Sequence, residues 1–519
     1  MSTATDSEVS IELQPFDKHN QRLQSNVHPP EWVNPTPNGP YDMVVVGAGT
    51  AGLVSASVAA GLGAKTALIE RNLMGGDCLN VGCVPSKGII SAARIAATVN
   101  KASEFGIHID GKVRVDFAQV MERMRKLRAD ISPADSAQRF SEEKGIDVYI
   151  GQATFTGSDT VKVGDDTTLK FSKGVIATGA RAAAPPINGL ETVDYLTNES
   201  VFSLTELPSS IGVIGAGPIG CELAQSFARF GSQVHLVNAR PVVLPREDAD
   251  AGRIVQAAME HDGVKLYGHG KTVQLSPADG GGIRMKADAA EGGFDFVVEK
   301  LLVAVGRAPN VDGLGLETVG VEYDKRTGVK VNDLYQTTNP KIYAAGDICS
   351  PYKFTHAADF MARSVVANAL FTPLGVGKRK ASSLIIPWAT YTSPEVAHCG
   401  ITEREAKERG VALTTFRQDF EEVDRAILEG DTEGFVKIHV AEGTDKILGA
   451  TIVAENAGDM IGSISIAMTN NVGLGKIASS IHPYPTQGEA VRKAGDLYNR
   501  TKLTPFAEKF LKTMLKFST

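Results

Sequence analysis

Two cysteines, Cys78 and Cys83, are separated by four residues in the segment 75–87 of a chain that has only five cysteines. An apolar pattern begins near Ile89, and Pro85 is predicted to be the first helical residue, where a missing N–H costs nothing. Cys83 then lies at a helix N-terminus, where the dipole favours a thiolate. Two buried, reduced thiols are the alternative, but this spacing beside a helix start and Lys87 favours a dithiol–disulfide switch.

A glycine-rich turn follows the apolar run 41–46, which predicts a buried strand. Its glycines are Gly47, Gly49 and Gly52, a helical stretch then runs to about residue 63, and a second strand, 65–69, ends at Glu70. Such glycines permit a tight turn and the close approach of a pyrophosphate to the helix N-terminus, while the acid binds the ribose hydroxyls. The order of strand, helix, strand and acid predicts a dinucleotide site.

The same pattern recurs after residue 210, with Gly215, Gly217 and Gly220 between a predicted strand, 211–214, and a predicted helix, 221–230. The position that corresponds to Glu70 holds Asn238, and Arg240 is close by. Without an acid to repel a 2′-phosphate, the second site favours NADPH over NADH. In the alternative, Asn238 still binds NADH and Arg240 points to solvent.

Length and composition restrict the class of protein. A chain of 519 residues is too long for one core, so three or four domains are expected. The net charge of -7 argues against a nucleic-acid surface. There is no apolar run long enough for a membrane span, and the first forty residues lack the features of a signal or transit peptide. An odd number of scattered cysteines indicates a reducing, cytoplasmic location rather than a disulfide framework.

The remaining chain predicts further elements. Two more strands end in glycine turns, at Gly179 and Gly306, and another ends at Asp347. From residue 387 onward, alternating strands with helices between them indicate a separate α+β domain. The tail has an apolar stripe at helical spacing, interrupted by lysines, and we favour its packing on its own domain or a partner subunit over membrane contact. The stripe comprises Phe506, Phe510, Leu511, Met514 and Leu515.

The dithiol segment, both fingerprints, the three strand-to-turn units and a final block through Glu489 together resemble the flavin-dependent pyridine nucleotide–disulfide oxidoreductases. This family includes glutathione reductase, dihydrolipoamide dehydrogenase and mercuric reductase, and the resemblance covers residues 41–505. It implies an α/β fold with two Rossmann-like dinucleotide-binding domains and a C-terminal α+β dimerisation domain. The expected divisions are a flexible extension (1–40), an FAD-binding domain (41–192 and 313–384), an NAD(P)-binding domain (193–312), a dimerisation domain (385–505) and an amphipathic tail (506–519).

The resemblance also assigns roles. Electrons are expected to pass from NAD(P)H through FAD to the Cys78–Cys83 disulfide, with Cys83 toward the flavin and Cys78 as the interchange thiol, in a homodimer. Lys87 matches a cation beside the flavin that pairs with Glu222. The residues expected to hold FAD are Gly47, Gly49, Gly52, Glu70, Gly76, Lys87, Ala153, Gly179 and Asp347. Those expected to hold the nicotinamide cofactor are Gly215, Gly217, Gly220, Asn238, Arg240 and Gly306. No resident metal site is expected.

The final block departs from the disulfide-reducing members of the family. Their His-Pro-Thr-x-x-Glu motif supplies an acid–base histidine from the partner subunit, and here that position holds Tyr484, with Glu489 retained. A phenol is a poor base at neutral pH, and His482 is the alternative. Tyrosine here resembles the mercuric-reductase-like branch, although no cysteine follows Cys399. Asp77 is also unusual, and its carboxylate is expected to raise the pKa of Cys78.

The sequence therefore predicts an FAD-dependent reductase of the mercuric-reductase-like branch, whose acceptor is a thiol, a disulfide or a soft metal ion. Dihydrolipoamide dehydrogenase is the alternative within enzymes. A low-turnover redox-sensing or membrane-associated flavoprotein is the alternative from another class. No nucleic acid is expected as a partner, and membrane association is not favoured.

Overall fold

Two largely parallel sheets and a five-stranded antiparallel sheet are the main sheets of the computed structural model, which describes residues 13–183, 186–239, 242–268, 272–287, 293–372 and 375–518. Both parallel sheets begin with a strand that runs into one of the two glycine fingerprints. The α/β class with two Rossmann-like units and a C-terminal α+β unit is thus confirmed. The exact domain boundaries stay a prediction.

The first unit contains the helix and strands around the dithiol segment. Its elements are α1 (Lys18–Val27), β1 (Tyr41–Val46), α2 (Thr50–Gly61), β2 (Thr66–Glu70), α3 (Gly76–Asn80), α4 (Cys83–Lys101), α5 (Phe117–Ile131), β3 (Asp147–Ile150), β4 (Ala153–Gly157), β5 (Thr160–Val163), β6 (Thr167–Ile176) and β7 (Ala180–Ala182). Strands β3, β2, β1 and β6 pair in parallel, whereas β4 and β5 extend the sheet antiparallel beyond β6. Parallel strands joined by helices bury both sheet faces, which explains the uninterrupted apolar run of β1.

The second unit repeats this arrangement. Its elements are β8 (Ser210–Ile214), α6 (Pro218–Phe230), β9 (Gln233–Val237), α7 (Ala249–His261), β10 (Lys265–Tyr267), β11 (Gln274–Pro277), β12 (Ile283–Ala287), β13 (Phe294–Val298), β14 (Lys300–Val303) and β15 (Arg307–Pro309). The parallel order is β10-β9-β8-β14, and β11-β12-β13 form a separate antiparallel layer. The helix begins three residues earlier than the sequence predicts because Pro218 is accepted at its first position.

The chain then returns to the first sheet before it enters the C-terminal unit. The return contains β16 (Tyr323–Asp324), β17 (Gly328–Val329), β18 (Ile342–Ala344), which pairs in parallel with β6, and α8 (Thr355–Leu370). The C-terminal unit comprises β19 (Pro387–Thr390), β20 (Glu395–Gly400), α9 (Glu403–Arg409), β21 (Leu413–Asp419), α10 (Asp424–Glu429), β22 (Phe435–Ala441), β23 (Ile447–Ala454), α11 (Ala457–Thr469), α12 (Leu474–Ala478), α13 (Glu489–Thr501) and α14 (Pro505–Ser518). Its five strands pair antiparallel in the order β19-β20-β23-β22-β21.

One hydrophobic cluster joins the three units. It contains Ile89 of α4, Met121 of α5, Phe227 of α6 and Phe435 of β22, all buried. Because α4 packs against α6 in this cluster, the dithiol helix of the first unit lies beside the fingerprint helix of the second. The fold therefore brings the two predicted nucleotide sites to the same cysteines.

The prediction of a flexible extension for residues 1–40 is wrong for residues 13–40, and residues 1–12 lie outside the described residues. Leu23 and Val27 of α1 are completely buried against the first sheet's helices. Asp17 caps α1 and pairs with Arg125 of α5 at 2.7 Å. Further along, the Asn34 side chain exchanges two hydrogen bonds with the backbone of Ile150. The sequence does not reveal these contacts, because most of them are made by polar groups, which give no apolar pattern.

The tail forms the predicted helix, but it does not pack on its own domain; the other predicted alternative, packing on a partner subunit, stays a prediction. Every residue of α14 from 505 to 518 is exposed except Ala507, which is partly exposed. Among the described residues, no helix is both long and apolar enough to cross a bilayer.

Candidate active site

The dithiol segment is a short helix followed by a tight turn and a long helix. Gly75 and Gly76 adopt positive φ angles of 85° and 55°, which lets the chain turn from β2 into α3. Cys78 lies in α3, and Cys83 is the first residue of α4. Pro85 occupies the third helical position rather than the predicted first, where its missing N–H is still without an intrahelical acceptor. Cys83 is thus at a helix N-terminus, as the sequence predicts.

The pKa values of the two thiols are shifted in opposite directions. The hydrogen bond from Cys78 lowers the pKa of Cys83 to about 6 against the effect of burial, with help from the Thr355 hydroxyl, 3.5 Å from its sulfur, and from the charge of Lys87. The hydrogen bond to Cys83 and burial raise the pKa of Cys78. Both cysteines line one cavity. In the reduced pair, Cys83 is therefore the thiolate and Cys78 the thiol.

Asp77 does not act on Cys78 as the sequence predicts. Its carboxylate contacts the guanidinium of Arg307, which also lies 3.4 Å from Asp347 and donates to the Ala180 carbonyl. The groups that raise the pKa of Cys78 are Cys83 and burial, with a smaller contribution from Asp135. The direction of the predicted shift is correct, but its cause is different because a cation 230 positions away in the chain neutralises Asp77.

Lys87 and Glu222 form an ion pair that links the two nucleotide-binding units. The Lys87 Nζ lies 2.9 Å from a Glu222 oxygen, and the other oxygen accepts from the Tyr391 N–H at 2.9 Å. Although burial opposes the charged form, the Glu222 carboxylate raises the pKa of Lys87. The Tyr391 ring lies 4.4 Å from the same ammonium. The cation is therefore fixed one helical turn from Cys83.

The first fingerprint forms a cradle that suits a pyrophosphate. Gly49 is the N-cap of α2, and Gly76 approaches it so closely that a Cβ on Gly76 would lie 2.7 Å from the Gly49 Cα. A Cβ on Gly47 would lie 2.5 Å from the Ala177 carbonyl oxygen, and one on Gly52 would overlap the Gly47 carbonyl. These positions admit only glycine, and they leave the N–H groups at the start of α2 open to an anion. The residues present fit the FAD that the resemblance implies.

Glu70 ends β2 beside this cradle. Its carboxylate accepts from the backbone N–H groups of Ala48 at 2.6 Å and Asn72 at 2.8 Å. Burial raises the pKa of Glu70 despite these bonds. The acid is held rigidly at the strand end, where the ribose of a dinucleotide on α2 would lie.

A single cavity of about 2240 Å³ joins these groups. Typical ligand pockets measure roughly 300–1,000 Å³, so this cavity has room for two dinucleotides. Of the residues predicted to hold FAD, all but the buried Gly52 line it, namely Gly47, Gly49, Glu70, Gly76, Lys87, Ala153, Gly179 and Asp347. The catalytic candidates Cys78, Cys83 and Glu222 line it as well.

The second fingerprint also opens into this cavity. A Cβ on Gly215 would lie 2.5 Å from the Ala304 carbonyl oxygen, and one on Gly220 would overlap the Gly215 carbonyl, whereas Gly217 faces open space. Gly215, Gly217 and Gly306 line the cavity. This geometry repeats the first cradle and fits a nicotinamide dinucleotide.

Asn238 lies at the predicted place after β9 and lines the cavity. Its side chain is engaged within its own loop, because Nδ2 donates to the Val242 carbonyl at 2.7 Å and Oδ1 accepts from the Ala239 N–H at 2.9 Å. Arg240 lies outside the described residues. The preference for NADPH over NADH therefore stays a prediction.

The structure does not bring the final block to the dithiol within one chain. Tyr484 is 69% exposed and donates to Asp424 at 2.8 Å. The Nδ1 atom of His482 hydrogen-bonds to the Ser480 carbonyl at 3.0 Å, and Glu489 pairs with Arg492 at 2.8 Å. None of the three lines the cavity. Their predicted roles require a partner subunit and stay predictions.

Three residues that contact the site are not recognisable as site residues from the sequence. They are Thr355 at the start of α8, Tyr391 in the loop after β19 and Arg307, the first residue of β15. Arg307 follows a glycine that the sequence marks, so its position was recognisable and only its partner was not. Thr355 and Tyr391 carry no local signal, because their proximity to Cys83 and Lys87 depends on how distant elements pack.

Comparisons with known proteins agree with this architecture. The family model described as pyridine nucleotide-disulphide oxidoreductase matches residues 41–362, and the corresponding dimerisation-domain model matches residues 386–495. A mercuric reductase from Bacillus cereus is 33% identical over 487 residues, which cover 94% of this chain and 76% of that protein. A dihydrolipoyl dehydrogenase from Bacillus subtilis is 30% identical over 469 residues, which cover 88% of this chain and 97% of that protein.

Among solved structures, the Cu(II) complex of the HOCl-induced flavoprotein disulfide reductase RclA from Escherichia coli superposes with a TM-score of 0.77 at 27% identity. The match covers 89% of this chain and 100% of that one. Family models, full-length relatives and a full-length structure thus agree with the paired fingerprints and the dithiol. The chain belongs to the pyridine nucleotide-disulphide oxidoreductases, a family of FAD-dependent enzymes.

Proposed function

We propose that this enzyme uses NADPH to reduce the Cys78–Cys83 disulfide and then passes the electrons to a soft metal ion held by thiols. The observation that carries the proposal is the polarised dithiol beside the Lys87–Glu222 pair, where the cradles of both dinucleotides meet. Bound flavin supplies the exchange between a hydride donor and a two-electron disulfide. All other steps depend on the protein's own side chains.

The proposed step at the dithiol is balanced by one proton. The disulfide gains two electrons and one proton, its S–S bond breaks, and the products are a Cys83 thiolate and a Cys78 thiol. The raised pKa of Cys78 and the lowered pKa of Cys83 support this distribution. Lys87 stabilises the negative charge on the Cys83 sulfur, so the thiolate forms on the cysteine that is next to the flavin site.

A soft metal is the acceptor class that best suits the remaining chemistry. Two thiols are soft ligands, and oxidation of the pair back to a disulfide releases the two electrons that reduce one Hg(II) to Hg(0) or two Cu(II) to two Cu(I). The relatives include mercuric reductases, and the E. coli reductase was solved with Cu(II). Tyr484 replaces the histidine that disulfide reduction requires. No cysteine follows Cys399, so Hg(II) would arrive as a complex with small thiols and Cu(II) as a complex with nitrogen and oxygen ligands.

The test is anaerobic reduction of the holoenzyme with NADPH and with NADH, followed by turnover on thiol-bound Hg(II), on Cu(II) held by nitrogen and oxygen ligands, on lipoamide and on glutathione disulfide. We expect faster reduction by NADPH and fast turnover only on the metals. Cys78→Ser and Cys83→Ser should each abolish that turnover, whereas Cys399→Ala should retain it, because this buried cysteine of β20 does not line the cavity. Metal reduction that persists without Cys78 and Cys83 contradicts the proposal.

Dihydrolipoyl dehydrogenase activity is the second candidate, supported by relatives that are 30% identical over nearly their full length. Fast, Cys78-dependent turnover on lipoamide would select it. A low-turnover redox sensor is a third outcome, indicated if every acceptor gives the same slow rate in the wild type and in Cys78→Ser.

A further inference from the structure

The C-terminal helix α14 extends from the protein with its apolar side chains in solvent. Phe506 is 80% exposed and Phe517 87%, and Phe510, Leu511 and Met514 are each about half exposed at 56%, 49% and 53%. Side chains of this size are usually buried. Five of them along one 14-residue helix form a surface that requires an explanation.

The helix separates apolar from charged residues around its circumference. At about 100° per residue, Phe506, Phe510, Leu511, Met514 and Phe517 occupy one half. Glu508, Lys509, Lys512, Thr513 and Lys516 occupy the other. The charged half carries three lysines against one acid, and Lys512 pairs with Glu508 at 2.5 Å. A helix with a broad aromatic-rich half and a lysine-rich half is the type that lies in a membrane interface.

Protein partners explain this surface less well. The matched dimerisation domain ends at residue 495, before α14 begins at residue 505, so α14 is outside the part of the chain assigned to dimerisation. A coiled coil with a second copy needs only a narrow apolar seam, whereas here the apolar half is wide. The chain as a whole carries a net charge of -7, which could attract the lysines of α14 if the helix folded back on the protein. The exposure of α14 shows that it does not fold back.

We propose that α14 lies flat on an anionic lipid bilayer, with Phe506, Phe510 and Phe517 in the acyl boundary and its lysines at the headgroups. Each lysine near such a surface contributes about fivefold in affinity. The acidic remainder of the protein is repelled only within a Debye length of about 10 Å, so a helix at the end of the chain can bind while the body stays clear. A homodimer presents two such helices, which strengthens the attachment by avidity.

The experiment is flotation of the full-length holoenzyme with vesicles of phosphatidylcholine, alone or mixed with phosphatidylglycerol. We expect flotation with the mixed vesicles that weakens as salt is added. The double variant F506S/F510S should lose at least about tenfold in affinity, and K509Q/K512Q/K516Q should bind both vesicle types alike. The matched control is V376S, which removes an equally exposed side chain (81%) from a loop.

Light scattering on the same variants distinguishes a lipid from a second copy. We expect F506S/F510S to keep the molecular mass of the wild type. A fall in mass overturns the proposal, because α14 would then be a subunit contact. It is also overturned if the wild type fails to float with phosphatidylglycerol vesicles or floats as well after the phenylalanines are replaced.

Discussion

The acidity of Cys83 depends on groups from three separate elements. Cys78 of α3 hydrogen-bonds its sulfur, Thr355 at the start of α8 lies against it, and Lys87 of α4 attracts its charge. These groups lower the pKa, whereas the carboxylate of Glu222 opposes them. The position at the first residue of α4 favours the same charge. Cys83 is therefore a poised thiolate only in the folded protein.

Alkylation of the reduced protein tests this polarity. In Cys78→Ser, whose hydroxyl keeps a donor, modification of Cys83 by iodoacetamide should rise through a pH of about 6, because only the thiolate reacts and it forms above its pKa. In Cys78→Ala the donor is lost, so the midpoint should move toward about 8.5. Cys221, Cys349 and Cys399 stay silent, since burial raises the pKa of each to about 12. Equal midpoints in the two variants would contradict the assignment.

The two members of the ion pair should shift this midpoint in opposite directions. Lys87→Met removes a positive charge and should raise the pKa of Cys83, whereas Glu222→Gln removes a negative charge and should lower it. Lys87→Met also leaves the buried Glu222 without its cation, which should cost about 2 kcal/mol of unfolding free energy, after allowance for the partial exposure of Lys87. Urea unfolding measures the cost. Lys87→Arg is the control, because it keeps the charge.

At the scale of elements, a local sequence pattern predicts the helices and strands that are specified by contacts between nearby residues. The fingerprint strands and helices were predicted closely, because a glycine turn between a buried strand and a helix is specified by adjacent residues. The helix α1 is not predicted by the sequence, since besides Leu23 and Val27 it is held by Asp17, Asn20 and their partners on α5. The neutralisation of Asp77 by Arg307 and the position of Tyr391 were missed because they arise from packing between units. The dithiol itself can be predicted from the segment 75–87 alone.

The helix α1 connects to the dithiol segment through one buried arginine. Arg128 of α5 donates to the Asn20 side chain and to the Asn80 carbonyl at the end of α3, both at 2.6 Å. Asn20→Leu leaves this guanidinium one acceptor short and should cost about 2 kcal/mol, measured by urea unfolding. The control is Asp130→Asn, which breaks the exposed pair of Asp130 with Arg22 and should leave the urea midpoint unchanged. A similar effect of both changes would show that Arg128 is not a critical link.

At the scale of the whole molecule, the single chain completes only one side of the dithiol. Both dinucleotide cradles, the ion pair and the two cysteines share one cavity. Tyr484 is exposed and His482 partly exposed on the C-terminal unit, and neither lines the cavity. Because the dimerisation domain is present, we expect the acceptor side to be completed by the second subunit. In that case each active site of a twofold dimer combines Cys78 of one chain with the final block of the other.

Mixed dimers test this division directly. Cys78→Ser should abolish acceptor turnover, and the double variant H482A/Y484A should lower it roughly a hundredfold by removing both candidate acceptors of the Cys78 proton, while NADPH still reduces the flavin in each. Random mixed dimers of the two variants should recover about one quarter of wild-type turnover, because half of the dimers are mixed and each holds one intact site. Mixing Cys78→Ser with Cys83→Ser should recover nothing, since both changes lie in the same dithiol segment. If H482A/Y484A is inactive and the first mixture also recovers nothing, the final block acts within its own chain. If H482A/Y484A itself keeps full turnover, the final block does not take part.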